Sequence, residues 1–378
     1  MIGIVMTGIK DVMGLIQTSD GRKLILHKIT LRSKGLKQLK HYNRESKEYF
    51  SGFVERFVDD LCSQISSDRN PVKTHHKFIR EVGFPQLKLE EHEIWTLKSE
   101  LSNTSDIRLM VCDITDTDFI KQTLYIFIGL FDGAERYYQR QTAPDVKEAI
   151  IDGHVAAISL SELMDRIIDE ERDPSILRKY KFLNPYILEV GRKKICKGGK
   201  SILNSFEEGF KNALRGQHED AELAKTPRFI TYEKMERSYA GKYRAIMGTA
   251  ASNMALNKGP IARMYYLGMG KAAEAGGCRN EIMDSRKDRK LKFPSWPALY
   301  AHEIGDIRKA FALTHEKGRL YLEEAKKIAR KLPADLPIKP FIEELFYVFG
   351  HAIDFEYKRL LEENLFADFE KQLKILIQ

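Results

Sequence analysis

Asn280-Glu281-Ile282-Met283-Asp284-Ser285-Arg286-Lys287-Asp288 is the stretch whose residue types and spacing carry the most chemistry in this chain. Neither Gly nor Pro interrupts it, so it reads as helix. Asn280, Asp284 and Asp288 fall at i, i+4 and i+8 and stack on one face. Three oxygen donors in a row suit a hard divalent cation that keeps part of its water and shares a phosphate. Arg286, Lys287 and Arg289 lie beside them, and their cations suit phosphate oxygens. Metal and cation on one helix point to a diphosphate. The plain alternative is a solvated, ion-paired helix face.

A second acidic group, Phe131-Asp132-Gly133-Ala134-Glu135, closes an apolar helix over 116–139. Asp132 and Glu135 at i, i+3 suit one shared metal, although such a pair is often plain surface. Gln139-Arg140-Gln141-Thr142-Ala143-Pro144 follows as a basic turn, and Gly153-His154 lies in the next apolar helix. Gly216-Gln217-His218-Glu219-Asp220 places Gln217 and Asp220 on one face, suited to metal-bound water or phosphate; a polar helix end is the duller reading. Thr231 caps a helix containing Tyr232 and Met235 whose body is rich in Ala, Gly and Ser. Other motifs fail. Gly198-Gly199-Lys200-Ser201 lacks the leading Gly of a phosphate loop, His302-Glu303 lacks a second His, and no Gly-x-Ser-x-Gly elbow occurs.

These elements need a large scaffold. The chain has 378 residues, 43% apolar and 31% charged, an ordinary globular composition. Twelve prolines fall between long periodic stretches. Helices are expected over about 36–65, 86–100, 116–139, 145–170, 174–190, 198–215, 229–256, 259–288, 296–331 and 337–377. Residues 1–35 read as irregular, with a short strand over Gly21–Ile29. The polar break at 66–71 suggests an N-terminal appendage over 1–70 and one helical domain over 71–378. The expectation is an all-α bundle with a central cavity.

A net charge of +8 fits phosphate-bearing ligands, nucleic acid or an anionic surface. No helix carries a basic stripe interleaved with aromatics, so nucleic acid ranks low. Cys62, Cys112, Cys196 and Cys278 form no metal or redox pair, which suggests free thiols and a cytoplasmic setting. No apolar run is long enough to span a membrane.

The order of the motifs resembles the trans-polyprenyl diphosphate synthases, and class I terpene synthases share their fold. The resemblance covers about 115–290 and implies an isoprenoid-synthase bundle in which two acidic helices face each other and hold three magnesium ions. It assigns Asp132 and Glu135, with Asn280, Glu281, Asp284 and Asp288, to the metals. Arg140, Gln217, Asp220, Arg286, Lys287 and Arg289 fall to the diphosphate. Tyr125, Phe127, Phe131, Tyr239 and Tyr243 are candidate cavity walls, and a homodimer is implied by analogy.

The chain departs from the family pattern at several places. Phe131 replaces an aspartate, Tyr239-Ala240 replaces Lys-Thr, Gly276-Gly277 replaces Phe-Gln, and the isopentenyl-binding Gly-Lys-Arg is not found. The expected activity is therefore magnesium-dependent ionisation of an allylic prenyl diphosphate, followed by cyclisation or rearrangement. A divergent synthase that condenses isopentenyl diphosphate is one alternative. A non-catalytic paralogue or regulatory subunit is the other.

Overall fold

The computed structural model describes residues 19–101, 103–168, 172–225 and 231–377. Among the described residues there is no strand. The helices are α1 (Ser19–Ser67), α2 (Pro71–Val82), α3 (Glu91–Glu100), α4 (Thr104–Thr115), α5 (Asp118–Tyr137), α6 (Pro144–Ile168), α7 (Pro174–Cys196) and α8 (Lys200–Lys225). They continue as α9 (Tyr232–Tyr239), a π-helical segment (Ala240–Ala245), α10 (Ile246–Met254), α11 (Gly259–Asp288), α12 (Trp296–Ile304), α13 (Ile307–Arg330), α14 (Lys339–Glu363) and α15 (Phe366–Ile377).

Local sequence sets these boundaries. Asn70 accepts from the Lys73 amide at 3.0 Å ahead of Pro71, and left-handed Gly83 ends α2. Thr117 caps α5 through the Ile120 amide at 3.2 Å, and Asp173 caps α7 through the Ser175 amide at 2.8 Å, followed by Pro174. One apolar core joins all of them. α1 buries Phe53, Phe57, Val58 and Leu61 in it, all at 0% exposure, so the break at 68–70 is a corner between two helices whose residues share that core.

The strand expected over Gly21–Ile29 is instead part of α1. Leu24 and Lys28, like Ile25 and Ile29, recur at a spacing of four, and no Gly/Pro cluster separates them from the periodic stretch beyond Leu36. With helix already propagating, adding residues to it is easier than starting a new element.

α11 is the central helix. It packs on α13, α10, α14 and the π segment, while α6 packs on α7 and α5. α5, α6, the π segment, α11 and α14 thus ring the interior where the cavity lies.

Candidate active site

The cavity has a volume of about 260 Å³. Glu162 and Asp165 reach it from the last turns of α6, and Arg279 and Asn280 from α11. Lys242 and Tyr243 enter from the π segment. Tyr125, Ile126, Met247, Met269 and Phe349 supply apolar wall. Beyond Asp165 and Lys242 a narrower apolar hollow of about 50 Å³ runs on between α6, α8 and α10, past Met164, Phe206 and Phe210 to His154.

Lys242 is placed by backbone packing. A Cβ on Gly216 of α8 would lie 2.4 Å from the Lys242 nitrogen, and one on Gly241 would lie 2.6 Å from the Gly216 Cα. Only glycine at both positions lets the π segment press against α8. A π segment often marks a functional site, and here it brings Lys242 Nζ to 3.4 Å from Asp220 and 3.9 Å from Asp165. Burial alone would lower the Lys242 ammonium, but Asp165 and Asp220 hold it well above its ordinary value, so it stays cationic. Gln217 Nε2 donates to Asp165 at 2.7 Å, and Ser238 Oγ donates to Asp220 at 3.0 Å.

Arg244, at the far side of the π segment, anchors it to α11. Its guanidinium meets Glu274, which is 0% exposed, at 2.5 Å, and Lys271 pairs with the same carboxylate at 3.0 Å. Burial raises the Glu274 carboxyl against these two cations.

The acidic residues of α11 point in different directions. Asn280 faces the cavity. Glu281 turns toward α12, where it accepts the Trp296 backbone amide at 3.0 Å, and burial pushes its carboxyl up to about 8. Asp284 follows one turn after Asn280 and is partly buried. Asp288 is exposed and pairs with Lys292 at 3.4 Å. Arg286 is a core residue, 7% exposed, bound to Glu356 at 3.2 Å and Glu363 at 2.8 Å, not a diphosphate ligand. Lys287 and Arg289 are exposed at the helix end.

The first acidic pair lies elsewhere. Asp132 and Glu135 stand at the far end of α5, where both carboxylates engage Lys147 and Glu135 also accepts the Thr142 amide at 2.6 Å. Exposed Arg140 belongs to the same region. Phe127 and Phe131 are fully buried core; Phe127 meets His154 edge-on, and the Lys147 ammonium sits 5.3 Å from the Phe131 ring centre. Tyr239 packs among Tyr243, Trp296 and Tyr321, behind the cavity wall. Gly153 serves the contact of α6 with α7, since a Cβ there would lie 2.8 Å from the Gly191 carbonyl. His154 is buried and neutral: burial drives it down to about 3, and its Nε2 accepts from Asn253 at 3.0 Å.

The facing helix is therefore α6, with Glu162 and Asp165. The sequence carried a signal for it. The acidic helix end, basic residue and proline expected over 131–144 occur again at Asp165, Arg172 and Pro174, with Asp169 at i+4 from Asp165. Asp169 lies outside the described residues. Among the described residues no group of three or more His, Cys, Asp and Glu could hold a metal ion alone. Glu162, Asp165 and Asn280 nevertheless form an all-oxygen donor set. It fits magnesium, which usually binds through one or two carboxylates together with substrate phosphates.

No family model matches the sequence, and no curated protein matches it. Solved structures do resemble the fold. A geranylgeranyl pyrophosphate synthetase from Geoglobus acetivorans aligns at a TM-score of 0.54 and 12% identity, covering 74% of this chain and 98% of that one. A geranylgeranyl pyrophosphate synthase from Lactobacillus brevis gives 0.54 and 13%, covering 72% and 99%. A heptaprenyl diphosphate synthase from Staphylococcus aureus gives 0.53 and 12%, covering 75% and 97%. The chain has the all-α isoprenoid synthase fold of these proteins. No helix among the described residues is long and apolar enough to cross a membrane.

Proposed function

We propose that this protein binds an allylic prenyl diphosphate and ionises it with magnesium, the resulting carbocation then cyclising or rearranging. The observation that carries the reading is that Asp165 of α6 and Asn280 of α11 line one cavity, with the cationic Lys242 beside them.

Glu162, Asp165 and Asn280 would hold the magnesium, with Asp284 one turn below. Bound magnesium supplies Lewis acidity that offsets the charge developing on the leaving diphosphate. Lys242 and Arg279 donate hydrogen bonds to the same oxygens, and their fixed placement lowers the cost of reorganisation. The prenyl chain lies along Ile126, Met247, Met269 and Phe349, with the hollow toward Phe206 and Phe210 as its extension. These walls exclude water, and the faces of Tyr125, Tyr243 and Phe349 are suited to stabilising a carbocation.

Among the described residues only Lys242 and Arg279 bring cations to the cavity. That supports one diphosphate per turnover, hence ionisation without condensation. The solved structures that share the fold are prenyl diphosphate synthases, which favours a second reading: condensation with isopentenyl diphosphate.

Incubation with geranyl, farnesyl and geranylgeranyl diphosphates plus magnesium, with and without isopentenyl diphosphate, separates these readings by mass spectrometry. Hydrocarbons or alcohols with free pyrophosphate support ionisation. Longer diphosphates support condensation. Unchanged substrate in every mixture overturns both and favours the non-catalytic paralogue.

A further inference from the structure

A second hollow, of about 170 Å³, lies at the other end of α5. Glu135 in this one lies thirteen positions after Gln122 in the cavity wall, roughly 20 Å along the helix. Its floor is apolar, with Phe131 and Met254 both fully buried. Tyr138 and Leu256 form partly buried walls, and exposed Arg140 and Lys258 stand at the rim. Among the described residues no carboxylate pairs with either cation. Glu135, the one acid in the lining, accepts from Lys147 at 3.3 Å and from the Thr142 amide at 2.6 Å; Lys147 is shared with Asp132, which also meets Arg136 at 3.5 Å, so the two carboxylates and two cations of this cluster balance one another. The rim therefore presents two uncompensated positive charges above an apolar floor.

The two loops that shape the hollow are fixed. The Tyr138 hydroxyl donates to the Lys258 carbonyl at 3.1 Å and ties one loop to the other. Each loop holds non-glycine residues in the left-handed region: Gln139 at φ 49° in one, Leu256 at 54° and Asn257 at 48° in the other. Such backbone persists only where surrounding contacts over-determine it.

We propose that this hollow is a second ligand site, for a phosphate monoester carrying a short apolar chain. At about 30 Å³ per water-sized group the volume takes five or six carbon-sized groups. The chain would fill the space over Phe131 and Met254, and the phosphate would meet Arg140 and Lys258, a pairing of anion with guanidinium and ammonium. The proposal does not depend on the reaction assigned to the main cavity.

Isothermal titration of the full-length protein with 3-methylbutyl phosphate tests it, with inorganic phosphate titrated in parallel. The wild type is expected to bind 3-methylbutyl phosphate at one site more tightly than inorganic phosphate. Met254→Trp, which fills the floor, is expected to abolish that difference. Arg140→Glu combined with Lys258→Glu alters only exposed side chains and is expected to weaken binding about tenfold or more. Gly276→Leu, which obstructs the main cavity, is expected to leave it unchanged. Absence of binding to the wild type, equal affinity for both ligands, or unaltered binding by the rim variant would each overturn the assignment. Loss of binding in Gly276→Leu alone would place the ligand in the main cavity and overturn it too.

Discussion

Gly276 and Gly277 are neighbours on α11, yet substitutions at the two positions should act in opposite directions. A Cβ on Gly276 meets nothing within 4 Å, because it projects into the cavity. A Cβ on Gly277 would lie 2.7 Å from Tyr243 Cε2 and 2.9 Å from Tyr239 Cε1. Replacing a mid-helix glycine by leucine or alanine gains about 0.5–1 kcal/mol from helix propensity. For Gly276→Leu nothing opposes that gain, so stability should rise by about that much. The four added carbons, at about 30 Å³ each, remove about 120 Å³ of space, close to half of the 260 Å³ cavity. Turnover of a prenyl diphosphate should then fall about 100-fold through misplacement of the substrate. For Gly277→Ala the overpacking cost of about 1–3 kcal/mol exceeds the propensity gain and leaves a net loss of about 1 kcal/mol. Urea denaturation reads the stabilities, and pyrophosphate release reads turnover. If both variants shift stability in the same direction, or if Gly276→Leu keeps wild-type turnover, the register of α11 against the cavity is wrong.

Three further outcomes follow from the same geometry. His75 is 1% exposed, and burial lowers it from 6.5 to about 4 while its Nε2 accepts the Leu89 amide at 3.1 Å. Because the unfolded chain takes up this proton first, the His75 contribution to stability should fall by about 3 kcal/mol as pH drops from 6.5 toward 4, and His75→Gln should make the slope in urea titrations shallower, leaving the part due to buried His154. Arg244→Met leaves the buried Glu274 with Lys271 as its remaining cation and should cost about 1–3 kcal/mol, whereas adding Glu274→Leu should recover part of the loss in a double-mutant cycle. Lys242→Met leaves Asp165 and Asp220 facing each other without their cation; it should weaken binding of a non-hydrolysable prenyl diphosphate analogue at least about tenfold, measured by titration.

Element type was largely readable in the chain, because caps and periodicity act locally. Thr117 and Asp173-Pro174 start helices where their side chains reach the third and the second amide; Asn70 and Asn103 cap α2 and α4 in the same way, although no helix was expected at either place, because each is only 12 residues long. The start of α1 was not readable, since the Gly21–Ile29 pattern satisfies both alternation and a spacing of four. The site divides in the same way. Spacing along α11 says which side chains share a face, and Asn280 does reach the cavity.

Spacing does not say which face turns inward when a helix is buried on most sides. α5 buries Ile126, Phe127, Ile128, Leu130 and Phe131 together, so Asp132 and Glu135 looked like the functional end of an apolar helix. Their true partner is Lys147, an ion pair set by tertiary packing. Asp165 opens a charged run through Arg172 that reads as a solvated tail. Lys242 was hidden for another reason. The π segment breaks the 3.6-residue period, and the lysine expected at the position of Tyr239 stands three residues later. Arg286 looked like a phosphate ligand because its two carboxylate partners lie seventy and more residues away, on α14.

The most direct test compares Asp165→Asn with Asp132→Asn for release of pyrophosphate from farnesyl diphosphate in the presence of magnesium. With the two acidic elements on α6 and α11, Asp165→Asn should lower the rate about 100-fold or more. Asp132→Asn should leave it within about twofold, since that carboxylate engages Lys147 outside the cavity. Loss of activity in Asp132→Asn with Asp165→Asn unaffected would contradict the account.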